Sequence, residues 1–132
     1  MKDSTDPKEW IRRARMDLRS AANDINDDPD QLAEIICYNS HHACEKALKG
    51  FLLYHGEAPP HSHDLLLLLE RSRDYAPNMA QLRDIFVNLN PFNLAARYPG
   101  DIDLNAGATD ALKALEDARF VVDSVEKHLN KR

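Results

Sequence analysis

Apolar residues recur every three or four positions along most of the chain, in stretches separated by short breaks rich in Pro, Asp and Gly. This spacing places apolar side chains on one face of a helix, and no stretch alternates at the period of a strand. The pattern predicts five helices: about Pro7 to Asn26, Pro29 or Asp30 to Tyr54, about His63 to Tyr75, from Pro77 or Asn78 through Leu89, and about Ala108 to Asn130. Short connections between consecutive helices favour an all-α, antiparallel up-and-down bundle with a four-helix core plus a short helix.

Residues near the helix ends support these boundaries. Asp6 and Ser62 are suited to cap the first and third helices, and Gly56 to end the second. Five consecutive leucines, Leu65 to Leu69, are too many for a helix with one buried face. We expect the third helix to be buried on more than one side, partly at a subunit interface. A homodimer is therefore predicted.

The length of 132 residues suits a single domain, with residues 1–6 as a flexible tail. Apolar residues make up 43% of the chain, enough for a core without disulfides or metal. The net charge of -5 argues against non-specific nucleic-acid binding, although it leaves room for a local basic pocket. Because the chain has no long apolar run and begins with polar residues, we expect a cytoplasmic protein without a membrane partner.

The two cysteines are expected to be free thiols. Cys37 and Cys44 lie seven residues apart in the second predicted helix, which separates them by about 10 Å. A disulfide requires Cα atoms within about 7 Å. Both residues are therefore predicted to be buried, small apolar side chains in a reducing compartment.

The second predicted helix also carries an unusual density of polar side chains, between residues 38 and 53. His42, Lys46 and Lys49 are spaced to form a short basic ridge. In the longest irregular stretch, Arg97 is suited to bind a phosphate and Tyr98 to stack on a base. These residues indicate a site for a nucleotide or RNA.

A structural role for the same residues is the alternative. Glu45 and Lys49 are four residues apart and suited to pair with each other. In this interpretation Arg97 anchors its loop on helix-terminal carbonyls and Tyr98 fills the mouth of the bundle.

A metal site is a third interpretation of the polar residues. His41 and Glu45 lie on one face of the helix, and His61 and His63 lie on a nearby loop. Two histidines and a carboxylate are able to hold a transition metal. Their spacing matches no zinc motif, so we predict no metal ligands and no cofactor.

Three segments resemble those of the HEPN family: residues 38–53, His63-Asp64-Leu65, and Ala96-Arg97-Tyr98-Pro99. Their order and spacing fit, and the resemblance extends from roughly Trp10 to Leu129. It implies a five-helix bundle that usually forms a homodimer. Many members are encoded beside a small nucleotidyltransferase, and such pairs act as toxin and antitoxin.

Some HEPN proteins are metal-independent ribonucleases, with an Arg followed four to six residues later by His. Here Arg97 is followed by no His and no second Tyr in that range. The favoured hypothesis is therefore a nucleotide-binding or interaction module that acts with a nucleotidyltransferase. Its candidate ligand-binding residues are His42, Glu45, Lys46, Lys49, Arg97 and Tyr98. The alternative is a metal-independent endoribonuclease that uses Arg97 and a histidine, His42 or His63, as acid or base.

Overall fold

The computed structural model describes residues 5–93 and 106–131, and every structural statement below concerns these residues. They form five α-helices and one 3-10 helix, with no strand. The helices are α1 (Pro7–Asp27), α2 (Ala33–Tyr54), α3 (Leu65–Arg73), the 3-10 helix (Pro77–Leu82), α4 (Arg83–Leu89) and α5 (Ala108–Leu129). The predicted all-α bundle is confirmed.

Helix α2 occupies the centre of the bundle. It packs against α1, α5, α3 and α4, and 14 of its 22 residues are buried. The approach of α1 is especially close at Gly50, where an added Cβ would lie 3.0 Å from the Cβ of Trp10 and 3.1 Å from the carbonyl oxygen of Pro7. Because α2 is enclosed on most sides, its polar side chains are drawn into the interior together with its apolar ones.

Several predicted helix ends are confirmed. Asp6 caps α1 by accepting a hydrogen bond from the backbone N–H of Lys8. Gly56 follows α2 with a φ of 85°, a left-handed conformation that glycine adopts without strain. Helix α5 begins at Ala108, as the spacing of its apolar residues predicted.

The predicted starts of α2 and α3 were wrong by a few residues. Residues 29–32 form turns, and the Asp28 carboxylate accepts a hydrogen bond from the N–H of Gln31, so α2 begins only at Ala33. Asp64, rather than Ser62, caps α3, since its side chain accepts from the N–H groups of Leu66 and Leu67. In both places an Asp side chain caps the backbone N–H groups of a turn, and the apolar spacing alone does not locate such a cap.

The five leucines are less completely buried than expected. Leu65, Leu68 and Leu69 face the core, whereas Leu67 is 39% exposed. Helix α3 therefore has one fully buried face, and the predicted subunit interface stays a prediction. None of the described helices is long and apolar enough to cross a membrane.

Both cysteines are buried free thiols, as predicted. Burial raises the pKa of the Cys37 thiol to about 12 and also raises the pKa of Cys44. They therefore pack in the core as protonated, unreactive side chains.

Candidate functional site

The polar residues of α2 form a cluster around one buried carboxylate. Glu45 is 6% exposed and Lys49 is 7% exposed. Lys49 Nζ lies 3.0 Å from Glu45 Oε2, so the pairing expected in the structural interpretation of the sequence is observed. Burying two charges is tolerable only when they are paired in this way.

His63, in the segment before α3, also hydrogen-bonds to this carboxylate. Its Nδ1 lies 2.9 Å from Glu45 Oε1 and 3.1 Å from Oε2. Burial alone would raise the pKa of Glu45, but Lys49 and His63 outweigh burial and hold it below its usual range. Glu45 is therefore ionised at neutral pH and holds one cation and one imidazole.

This arrangement fixes the protonation of the His63 ring. A carboxylate only accepts hydrogen bonds, so Nδ1 of His63 carries the proton, and in the neutral ring Nε2 keeps the lone pair. The His63 side chain is 42% exposed. A half-exposed imidazole oriented by a buried carboxylate is the usual arrangement of a general base.

His42 lies beside His63. The two rings are within 17° of parallel, and their centroids are 6.1 Å apart. The His42 ring also packs on the Tyr38 ring, with their centroids 4.3 Å apart. The Nε2 atom of His42 lies 3.4 Å from the Oδ1 of Asn93. Burial lowers the pKa of His42 below its ordinary value. The two rings present aromatic faces at the edge of the cluster.

His41 is the anomaly of the site. It is fully buried, and neither ring nitrogen has a hydrogen-bond partner of adequate geometry among the described residues. Burial lowers its pKa to about 4, although Glu45, the Asn90 side chain and the His63 backbone oppose that fall. These opposing contacts are weak, because hydrogen bonds lose strength steeply when their geometry is poor.

The ligating atoms of His41, His42 and Glu45 all lie within 4.8 Å of one another. The sequence had placed His61 and His63 with His41 and Glu45, whereas the fold adds His42. Both Glu45 oxygens already hold Lys49 or His63, and a metal ion bound there would be repelled by the neighbouring ammonium group. The absence of metal ligands stays a prediction.

The predicted basic ridge is largely neutralised within the described residues. Lys46 Nζ lies 2.8 Å from Asp17 Oδ2, and Lys49 is held by Glu45. Neither ammonium group is therefore an open phosphate site. Arg97 and Tyr98, the other predicted binding residues, lie outside the described residues.

Two asparagines that were not among the predicted site residues, Asn90 and Asn93, hold the cluster together. Asn90, the residue after α4, accepts from the N–H of Leu65 and donates to Asp64 Oδ1, both at 2.9 Å. These bonds tie the start of α3 to the end of α4, and so place His63 next to α2. The only signal in the sequence was two amides at the start of the long irregular stretch.

Comparisons with known proteins agree with this architecture. The HEPN domain model matches residues 7–128. The structure of TT1696 from Thermus thermophilus is similar, with a TM-score of 0.81 and 24% identity over 92% of this chain and 96% of that one. ST0689, an archaeal HEPN homologue, has a TM-score of 0.76 and 22% identity over 98% of this chain and 100% of that one. No curated protein matches the sequence.

The fold and the cluster define a small all-α protein whose central helix carries a buried Glu–Lys pair joined by a histidine from the next segment. Because the family model spans nearly the whole chain, the chain belongs to the HEPN domain family. The two solved structures, at their low identity, support the fold and nothing further.

Proposed function

We propose that this HEPN protein is a nucleotide-binding interaction module that forms a homodimer and acts with a small nucleotidyltransferase, in the manner of a toxin–antitoxin pair. One observation carries the ligand assignment: His63 is fixed by the buried Glu45 carboxylate and lies nearly parallel to His42. Aromatic rings held in this way offer stacking surfaces to a nucleobase.

The phosphate contacts in this proposal come from Arg97, with Tyr98 as a second stacking or hydrogen-bonding group. Arg97 follows Asn93 by four residues, so the chain keeps their Cα atoms within roughly 14 Å. Asn93 Oδ1 in turn lies 3.4 Å from His42 Nε2. An Arg is needed because the ammonium groups of Lys46 and Lys49 are already paired.

Calorimetric titration with ATP, GTP and AMP tests nucleotide binding. We expect saturable binding to the wild type and a loss of affinity in His63→Ala. His61→Ala is the matched control, because it removes an exposed histidine of the same loop. If His63→Ala bound nucleotides with wild-type affinity, the cluster around Glu45 would not be part of the nucleotide site.

The partnership is tested by the gene neighbourhood and by co-expression. A short nucleotidyltransferase reading frame beside this gene, whose product relieves a growth defect caused by this chain, is the expected result. Light scattering at tens of micromolar should give the mass of a dimer. A neighbouring gene of unrelated function, or a monomeric mass, would contradict the corresponding part of the proposal.

A metal-independent endoribonuclease is the second candidate, and the Glu45–His63 contact favours it. In this proposal His63 is the acid or base and Arg97 stabilises phosphate charge. Cleavage of RNA in the presence of a chelator, abolished in His63→Ala and in Arg97→Ala but retained in His61→Ala, would support it. An intact substrate at high protein concentration would exclude it.

A further inference from the structure

A groove between α1 and α2 adjoins the candidate site. Its volume is about 310 Å³, and its lining residues are Arg12, Arg13, Met16, Asp17 and Lys46. Lys46 follows His42 by four residues and therefore lies on the same face of α2. Burial lowers the pKa of His42, and the nearby Asp17 carboxylate opposes that fall. The groove is therefore next to the His42 ring, one helical turn along α2.

The groove has more positive than negative charge. Lys46 Nζ lies 2.8 Å from Asp17 Oδ2, so these two charges cancel and Asp17 does not repel an anion. The other carboxylate at the groove, Glu9, faces two arginines, Arg12 and Arg13. One positive charge is therefore left over. It is a local feature, because the whole chain has a net charge of -5.

The two arginines share Glu9 unequally. Arg12 donates to both carboxylate oxygens, from Nε to Oε2 at 2.9 Å and from Nη2 to Oε1, and its Nη1 lies 3.3 Å from Met16 Sδ. Arg13 reaches Glu9 only through Nε, at 3.4 Å, and its side chain is 39% exposed. Within residues 5–93 and 106–131 Arg13 makes no other ion pair. The excess charge of the groove is therefore that of Arg13, whose two terminal nitrogens are open to an anion.

A phosphate group matches the open side of Arg13. A guanidinium group binds two phosphate oxygens through parallel N–H groups, and it stays charged at every physiological pH. His42 and Lys46 are four residues apart, so about 6 Å of helix separates the His42 ring from the groove. The ribose of a nucleotide bridges a gap of this size between base and phosphate.

We propose that the groove between α1 and α2 binds the phosphate groups of a nucleoside polyphosphate, and that Arg13 is the residue that contacts them. The proposal rests on the nucleotide-binding function proposed above, and it adds a contact on α1 to that of Arg97. Release of Arg13 from Glu9 costs little, because their contact is long and partly exposed. Each further phosphate adds negative charge, so the groove favours ATP over AMP and AMP over adenosine.

Calorimetric titration with adenosine, AMP, ATP and inorganic tripolyphosphate at one ionic strength tests the proposal. Arg13→Ala should lose about tenfold or more in affinity for ATP, the loss of one charge-assisted contact, and should bind adenosine as the wild type does. Arg19→Ala is the matched control, because it removes the same charge from an exposed position of α1. It should bind ATP nearly as the wild type does.

Glu9→Gln tests the same groove in the opposite direction. It keeps every cation and removes the carboxylate that competes with phosphate for Arg12 and Arg13. Its affinity for ATP should therefore rise, by up to about fivefold, the most that an exposed ion pair contributes. A gain of affinity does not arise from misfolding, so this variant decides the matter if Arg13→Ala is poorly folded.

Three results would overturn the proposal. One is wild-type affinity for ATP in folded Arg13→Ala. Another is an equal loss in Arg19→Ala, which would mean that ATP responds only to net charge. The last is no binding of either ATP or tripolyphosphate to the wild type. A failure of the base site looks different: tripolyphosphate would bind in a manner that depends on Arg13, adenosine would not bind, and His63→Ala would bind ATP as the wild type does.

Discussion

The buried His41 makes a quantitative prediction about acid stability. Its folded-state pKa is lowered from 6.5 to about 4 by burial, so the unfolded chain binds this proton more readily than the folded protein does. Stability therefore falls as pH falls below 6.5. At about 1.4 kcal/mol for each pH unit between the two values, His41 removes about 3 kcal/mol of unfolding free energy by pH 4.

The perturbation that isolates this effect is His41→Leu, which replaces the ring with an apolar side chain of similar size. At pH 7 the variant should be as stable as the wild type or more stable, because unpartnered buried nitrogens cost about 1–3 kcal/mol. Between pH 6.5 and 4 the variant should lose about 3 kcal/mol less than the wild type. Titrating groups that do not interact with His41 are common to both proteins and cancel in the difference, whereas Glu45 and His42 interact with it.

Urea unfolding followed by circular dichroism at half-unit intervals of pH measures both quantities. His61→Leu is the control, since it removes an exposed histidine and should keep the acid sensitivity of the wild type. A wild-type pH profile in His41→Leu, or a loss of several kcal/mol of stability at pH 7, would contradict the assignment of His41 as a neutral and unpartnered ring. The second result would mean that the ring nitrogens bind a partner.

Other predictions concern packing and the buried ion pair. Lys49→Met removes the cation beside a buried carboxylate and should lower the free energy of unfolding by about 3–5 kcal/mol. Lys113→Met, which breaks an exposed pair of the same spacing, should lower it by less than about 1 kcal/mol. Equal losses in urea unfolding would contradict this prediction. Gly50→Ala should cost about 1–3 kcal/mol, because its Cβ would lie 3.0 Å from that of Trp10. Gly107→Ala, with no neighbour nearer than 3.8 Å, should cost about 1 kcal/mol or less, the effect of a weaker cap on α5. Nucleotide affinity should be unchanged by a chelator, and a loss on chelation would reveal a metal in the site.

The fold was predictable where the local signals agreed with the tertiary packing. Helix α1 has a cap, a proline at its first position and a regular apolar face, and its start was predicted correctly. The starts of α2 and α3 were not, because Asp28 and Asp64 capture backbone N–H groups in a way that periodicity does not reveal. The 3-10 helix before α4 carries the same apolar spacing as an α-helix over so short a length.

Only the contacts within one helix of the site could be predicted from the sequence. The spacing of Glu45 and Lys49 suggested their pairing, which needs nothing beyond α2. Contacts that close the cluster join residues far apart in sequence, such as His63 to Glu45 and Lys46 to Asp17. Periodicity does not encode these distances. The neutralisation of the predicted basic ridge therefore became visible only in the folded chain.

The nucleotide site is tested most directly by Arg97→Ala, with melting temperature and nucleotide affinity measured on the same preparation. Arg19→Ala, which removes an exposed arginine of α1, is the control. The proposal predicts that Arg97→Ala melts within a few degrees of the wild type and loses at least about tenfold in nucleotide affinity, the loss of one charge-assisted contact. A variant that melts several degrees lower and binds the nucleotide with wild-type affinity would contradict it, and would make Arg97 a structural anchor.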